Sequence, residues 1–349
     1  MSSSTDYSAE NIEVLQGLDA VRRRPGMYVG GLDQSGLQVL VETLLQYPME
    51  AFWDKQCSKL ELRHNASNSV TVSYNKALPT RPSRHNDTLM FDDMFLQLFG
   101  GSMYARTMHA VDFPVVNALS IQTHVKIWVD GKQWERSYVC GYPVSKIQIK
   151  ACENSEWEQG TSITFRPDNA IFLSARFCEE QMRERCQHVA ALCPAMEVTF
   201  LRRQGEPEHF HSPAGLSSLL SSPENNSLVS IQAETSEFHL DLKLQAYDKP
   251  EHHILGFINS NVVEAGSHTR GLMHGLLQRI REDNPSAEMD QLYGIDATLH
   301  VYQKDGAMFF RRPGYEHEDM YKFVKEQVLQ ACQQPNAERL LSSIYIPIF

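Results

Sequence analysis

The stretch that most constrains the fold is LQVLVETLLQYPMEAFW, at positions 37–53. Its apolar side chains recur at the spacing of a helix with one buried face: Leu37, Leu40, Val41, Leu44 and Leu45. Glu42 and Gln46 lie one turn apart outside this stripe, so both can face a ligand cavity over the helix. Pro48 removes one backbone hydrogen bond and clashes with the preceding turn, which predicts a kink or an end near Gln46.

Length and composition limit the class of protein. A chain of 349 residues is long enough for two domains, and its 42% hydrophobic and 21% charged residues are typical of a globular protein. The net charge of -11 argues against strong direct binding to nucleic acid, which depends on clustered lysine and arginine. The chain has no apolar run of eighteen residues and no signal-type N-terminus, so we expect a cytoplasmic protein with no membrane association. The seven cysteines form no CxxC pair, which favours free thiols.

Alternating apolar residues and turn residues predict the main elements. LELRHNASNSVTV at 60–72 and VKIWVDGKQWERSYV at 125–139 each predict a hairpin, the second one with an Asp-Gly turn. Apolar residues among charges predict a helix over 177–192. The polar run SSPENNS at 221–227 predicts a linker, so we divide the chain into domains 1–220 and 221–349.

Several of these segments resemble the ATPase region of the DNA gyrase B and topoisomerase IV ParE subunits. YSAENIEVLQGLDAVRRRPGMYVGGLD at 7–33 resembles the N-terminal arm of that family, 37–53 its first nucleotide-binding motif, and 238–282 the start of its transducer domain. The resemblance implies an α+β fold, in which a GHKL (Bergerat) α/β sandwich with a dimerisation arm precedes a ribosomal-S5-like transducer domain. We expect a divergent stand-alone paralogue with degenerate nucleotide motifs, without the toprim and DNA-cleavage domains.

The resemblance also assigns a nucleotide pocket. In the family, an acidic general base stands four residues before a magnesium-binding asparagine; here Glu42 keeps the first position and Gln46 takes the second. Ser73 stands where an aspartate binds the adenine amino group, and a hydroxyl accepts only one weaker hydrogen bond. Ala77 replaces a glycine that lets the backbone approach the ligand. Thr161 matches a threonine that touches the missing aspartate, so here we expect it to bond locally.

The resemblance extends to the phosphate lid and the dimerisation arm of the family. Gly101 and His109 keep family positions, but the matching lid RTMHAVD at 106–112 has lost every glycine. Asp112 places a carboxylate where a triphosphate would lie, at a cost of about 1 to 4 kcal/mol. The loop RRPGYEHE at 311–318 lacks the family's switch lysine. Tyr7 matches the arm tyrosine at the dimer seam, and HFH at 209–211 matches a family strand without metal, so we expect no metal site.

Three functions remain open. The changes favour a gyrase B-like pseudo-ATPase without ATP or magnesium as a cofactor. Such a protein would act as a homodimeric binding or regulatory protein. It would pair with a gyrase B or ParE subunit and modulate a type II topoisomerase, or bind another partner. The alternative is a repurposed enzyme that acts on a small non-nucleotide substrate through this set of polar side chains: Glu42, Gln46, Ser73, His109 and Asp112. The third is a weak ATPase, because Glu42 persists and Gln46 still carries an amide oxygen.

Overall fold

The structure is a computed structural model that describes residues 17–83, 88–98, 112–152, 157–222, 227–304 and 316–345. Within these ranges the helices are α1 (Leu18–Arg23), α2 (Gly26–Val29), α3 (Gln34–Trp53), α4 (Met90–Leu96), α5 (Phe113–Ala118), α6 (Asn169–Phe172), α7 (Glu179–Leu192), α8 (Ser267–Asp283), α9 (Glu318–Cys332) and α10 (Glu338–Ile344). The strands are β1 (Lys59–Asn65), β2 (Ser69–Tyr74), β3 (Ser120–Val129), β4 (Lys132–Val139), β5 (Tyr142–Pro143), β6 (Gln148–Ala151), β7 (Gly160–Pro167), β8 (Glu197–Leu201), β9 (Glu208–Phe210), β10 (Val229–Glu234), β11 (Phe238–Ala246), β12 (His253–Ile258), β13 (Asn261–Val262) and β14 (Ile295–Gln303).

Two sheets organise the described residues. The first has the strand order β5-β4-β3-β7-β2-β1-β8-β9, with β6 paired to β4, and it is antiparallel except where β1 meets β8. The second has the order β10-β11-β14-β12-β13, with β12 and β14 parallel. The fold is therefore the mixed α+β arrangement that the sequence predicted.

Helix α3 lies in the first core and begins after Asp33, whose carboxylate accepts from the backbone N–H of Ser35 at 2.9 Å. The predicted apolar stripe is confirmed, because each of its five members is fully buried. The predicted end near Gln46 is wrong, since the helix continues through Pro48 to Trp53. A proline inside a helix costs about 3 kcal/mol. The burial of each apolar side chain around it is worth about 1.5 to 3 kcal/mol, so packing outweighs that cost.

Both predicted hairpins are confirmed. β1 pairs with β2 from Leu60 opposite Tyr74 to Asn65 opposite Ser69. β3 pairs with β4, and the turn residues Asp130 and Gly131 both have positive φ, at 53° and 68°. An Asp-Gly pair tolerates this left-handed backbone, which matches the twist of the two strands.

Each sheet has its own apolar core, and Phe257 of β12 reaches from the second sheet into the first core. Buried Arg185 of α7 donates to the carbonyl of Ser260, and the ring of His188 packs edge-on against Phe257 at 5.3 Å. The domain boundary at 220/221 stays a prediction, because residues 223–226 lie outside the described ranges. All seven cysteines are free thiols, as predicted. Among the described helices, none combines the length and the apolarity needed to span a bilayer.

The second core depends on a close approach between α8 and α9. A Cβ atom on Gly271 would lie 2.8 Å from the carbonyl oxygen of Tyr321. A Cβ atom on Gly275 would lie 2.9 Å from the carbonyl oxygen of Lys325 and equally close to the Cβ of Val328. These distances are shorter than normal van der Waals contact, so the crossing requires glycine at both positions.

We expect Gly275→Ala to lower the free energy of unfolding by about 1 to 3 kcal/mol, because the added methyl group overpacks the crossing. Alanine is the better helix former by about 1 kcal/mol, so a stabilised variant would contradict this packing. Urea titration followed by circular dichroism measures the change. Gly26→Ala is the matched control, since its Cβ would meet nothing within 4 Å, and we expect a change within about 0.5 kcal/mol.

Candidate functional site

Three elements that carry predicted pocket residues meet around Tyr47. Its ring lies 5.8 Å from the ring of Tyr74 on β2 and 5.9 Å from that of Phe113 on α5. Each of these rings directly follows a predicted pocket residue in the sequence: Tyr47 follows Gln46, Tyr74 follows Ser73 and Phe113 follows Asp112. Burial raises the pKa of Tyr47 to about 12, and the nearby Glu50 and Cys57 add to the shift, so this phenol is neutral at physiological pH. The fold therefore brings together three elements that are far apart in the chain.

Glu42 and Gln46 lie on α3, as predicted, and both are nearly buried. Glu42 accepts a hydrogen bond from the amide of Gln38 at 3.3 Å. Gln46 donates from Nε2 to Oδ1 of Asn261 in β13 at 3.1 Å, and this bond is buried. The two side chains that the sequence placed over one cavity thus have separate partners, and Gln46 connects α3 to the second sheet.

Ser73, Ala77 and Thr161 lie around the β2–β7 pairing. Ser73 donates to the hydroxyl of Ser162 at 3.0 Å, across the two strands. The hydroxyl of Thr161 donates to the carbonyl of Lys76 at 2.9 Å and accepts from the backbone N–H of Leu78 at 3.0 Å. Thr161 therefore holds the backbone on both sides of Ala77.

Asp112 is the N-cap of α5. Its carboxylate accepts from the backbone N–H of Phe113 at 2.7 Å, which satisfies one of the free donors at the start of the helix. Within the same helix, buried Asn117 donates to the carbonyls of Phe95 and Gly141 at 3.0 and 3.2 Å. The helix is thus fixed against α4 and the β4–β5 turn, and Asp112 has a structural contact at the place where the lid would meet a phosphate.

Some of the predicted residues lie outside the described ranges: Tyr7, Gly101, His109 and positions 311–315 of the switch loop. Sequence reasoning did not identify Asn261 or Ser162 as partners of the pocket residues. Asn261 is 215 positions from Gln46, and no periodicity or motif relates the two. In the described part of the chain, no group of three His, Cys, Asp or Glu side chains is placed to hold a metal ion.

Comparison with known proteins gives relatives over most of the chain. No protein-family model matches it. It is 29% identical over 324 residues to the DNA gyrase B subunit of Borrelia hermsii, across 84% of this chain and 51% of the relative. It is 32% identical over 282 residues to the DNA topoisomerase 4 B subunit of Mycoplasma pneumoniae, across 75% of this chain and 44% of the relative. The chain therefore spans about half the length of these curated relatives.

Solved structures share the fold. The 43K ATPase domain of Thermus thermophilus gyrase B in complex with an aminocoumarin matches 93% of this chain and 91% of its own, with a TM-score of 0.72 and 22% identity. The topoisomerase IV ATP-binding domain of Francisella tularensis matches 95% and 96%, with a TM-score of 0.73 and 18% identity. Over most of its length the chain is a homologue of the B subunits of DNA gyrase and topoisomerase IV, and it has the GHKL ATPase-domain fold.

Proposed function

We propose that the protein is a gyrase B-like pseudo-ATPase that acts as a cytoplasmic homodimeric binding or regulatory protein. The observation that carries this proposal is the buried hydrogen bond from Gln46 to Asn261. The resemblance predicts a magnesium ligand at this position. Here Nε2 of the Gln46 amide is bonded to Asn261 of the second sheet, which fixes the side chain.

The chemistry of magnesium supports this proposal. Mg²⁺ requires near-ideal octahedral geometry and short bonds of about 2.0 to 2.1 Å to oxygen. Gln46 is one methylene longer than the asparagine expected from the resemblance, and moving its amide toward a nucleotide would break its bond to Asn261. A buried hydrogen bond of this kind contributes about 1 kcal/mol, and leaving Asn261 without it costs more.

The adenine and phosphate positions support the same conclusion. Ser73 is bonded to Ser162, and a neutral hydroxyl is a weaker acceptor for an exocyclic amine than a carboxylate is. Asp112 caps α5 and places a negative charge near the lid, where it would repel a polyphosphate. We therefore propose that ATP and magnesium are not cofactors of this protein.

The test is titration of the full chain with ATP, ADP and a non-hydrolysable ATP analogue, with and without magnesium, followed by calorimetry and thermal unfolding. We expect no heat of binding and no change in melting temperature. A ligand present at about 100 times its dissociation constant would stabilise the fold by about 2.7 kcal/mol, which is well above detection. Magnesium-dependent stabilisation would contradict the proposal and favour a working ATPase.

The Glu42→Gln variant distinguishes ATP hydrolysis by this protein from hydrolysis by a contaminant. Any ATP hydrolysis that persists unchanged in Glu42→Gln comes from a contaminating enzyme, because Glu42 occupies the general-base position of the resembled family. Hydrolysis that is present in the native chain and lost in Glu42→Gln would overturn the pseudo-ATPase proposal.

The regulatory part of the proposal concerns partners. The relatives are named as B subunits of DNA gyrase and topoisomerase 4, so we propose that this chain pairs with itself or with one of those subunits. Light scattering during size-exclusion chromatography, at micromolar protein, measures the mass with and without an added gyrase B protein. A monomeric mass would contradict the homodimer, and no complex with the gyrase B protein would contradict that pairing.

A further inference from the structure

A cavity lies at the turn between β1 and β2, and it adjoins a larger cleft that shares His64, Arg176 and Arg203 and is also lined by acidic residues, Asp33, Glu179 and Glu180. The smaller cavity has a volume of about 420 Å³, and the segment after α6 and the end of β8 complete its wall. Arg176, Arg203, His64 and Asn68 contribute to this wall, and none of the described residues that line it is acidic. The whole chain carries a net charge of -11, so two arginines on the wall of one cavity form a local positive region in an acidic protein.

The two arginines have no carboxylate partner within the part of the chain that the structure describes. Neither Arg176 nor Arg203 forms an ion pair with any residue that the structure describes, and both are exposed. Their neighbour Arg202 differs, since its Nε lies 2.6 Å from a carboxylate oxygen of Glu208. A guanidinium has five N–H donors in a planar fork suited to phosphate and carboxylate. Arg176 donates from Nη1 to the carbonyl of Ala175 at 3.0 Å, and its other N–H groups and those of Arg203 have no carboxylate partner among the described residues.

The backbone that carries these arginines is held in place. Asn68 donates to the carbonyl of Ala175 at 3.2 Å and accepts from the N–H of Phe177 at 3.3 Å, on either side of Arg176. Glu179 accepts from the backbone N–H of Arg203 at 3.0 Å. The two side chains thus extend from fixed points on the wall, which reduces the entropy lost on binding a ligand.

His64 is an independent sign of a ligand. Its residue is 6% exposed, and Nδ1 lies 2.7 Å from Oε1 of Glu179. A carboxylate only accepts, so Nδ1 donates to Glu179 and Nε2 is the ring nitrogen left for another partner. Among the described residues Nε2 is buried and has no hydrogen-bond partner. A buried polar atom without a partner costs free energy, which a hydrogen bond to a ligand could recover.

We propose that this cavity binds the phosphate group of a small phosphorylated molecule. Oxygens of the phosphate accept from Arg176 and Arg203, and a further oxygen of the same group forms a hydrogen bond with Nε2 of His64. The cavity volume lies within the range of about 300 to 1,000 Å³ that is typical of small-ligand pockets. None of the predicted nucleotide-pocket residues lines this cavity, so the inference does not depend on the proposed function.

Calorimetric titration of the full chain with inorganic phosphate, at constant ionic strength, tests the site. We expect saturable one-to-one binding, and each of Arg176→Gln and Arg203→Gln to weaken it about tenfold. Arg63→Gln is the matched control, because Arg63 lies on the same hairpin, is paired with Glu61 and does not line the cavity. We expect this control to bind phosphate like the native chain, and circular dichroism verifies that each variant is folded.

Two further measurements separate the outcomes. In a nitrogen-15 spectrum of the histidine rings, phosphate should shift Nε2 of His64 in the native chain and in Arg63→Gln. Absence of saturable phosphate binding, or equal binding by Arg176→Gln, Arg203→Gln and the native chain, would overturn the proposal. A 20-base-pair DNA duplex is titrated in parallel. Arginine-dependent binding of the duplex without binding of free phosphate would assign the cavity to a nucleic-acid backbone and also overturn it.

Discussion

Asp92→Ala is expected to lower the free energy of unfolding by about 3 to 5 kcal/mol. Asp92 is 2% exposed and accepts from the hydroxyl of Tyr138 at 2.5 Å and from Nη2 of Arg136 at 3.2 Å. Removing its carboxylate leaves a nearly buried guanidinium without its counter-ion and a fully buried phenol without its acceptor. Both losses occur where α4 packs on β4, next to the ring of Phe95 on Tyr138.

Urea titration followed by circular dichroism measures this loss. Glu61→Ala is the matched control, because it breaks a similar ion pair at the surface. The side chain of Glu61 is 25% exposed and that of its partner Arg63 is 47% exposed. An exposed pair contributes at most about 1 kcal/mol, so the control should change stability little. Equal effects of the two variants would contradict a buried structural role for Asp92.

The second large effect is a loss of stability in acid, caused by three buried histidines. Burial lowers the pKa of His188 to about 3, with a further contribution from Arg185, and lowers the pKa values of His268 and His300 to about 4. The imidazoles of His268 and His300 are bonded to backbone carbonyls, of Val263 at 3.0 Å and of Asn259 at 2.9 Å. All three are therefore neutral in the folded protein at pH 7.

The direction of the effect follows from proton binding. An unfolded histidine has a pKa of about 6.5, so below that pH the unfolded chain takes up protons that the folded chain does not. The stability that each neutral imidazole contributes is fully present above a pH of about 6.5. It is lost as the pH falls toward the pKa of that imidazole in the folded protein. The loss is about 1 kcal/mol for each imidazole and each pH unit in that window.

Urea midpoints at pH values of about 7, 5.5 and 4.5 test this prediction. His300→Gln and His268→Gln should each lose stability less steeply with falling pH than the native chain. The slope with pH is compared, because carboxylates with lowered pKa values, such as Asp168, lose their contribution in the same direction in every variant. Parallel slopes for the native chain and both variants would contradict the prediction.

Much of the fold was accessible from the sequence because its signals are local. The apolar stripe of α3, the Asp-Gly turn between β3 and β4, and the helix near 177–192 each depend on residues within a few positions of one another. The helix end predicted near Gln46, as an alternative to a kink, was wrong because the local cost of a proline was weighed without the surrounding core. The elements that bury several sides of α3 are far away in the chain, so no local sequence pattern predicts this burial.

The sequence by itself determined the residue types at the pocket positions, and through its resemblance to the gyrase B and ParE subunits it predicted the α+β class. Only the tertiary structure decided what those residues contact, as in the bond of Gln46 to Asn261 and the tie between His64 and Glu179 across 115 positions. It also decided that Arg176 and Arg203 line one cavity beside His64. The physical reason is that hydrogen bonds and ion pairs act over a few ångströms in space, whatever the distance along the chain.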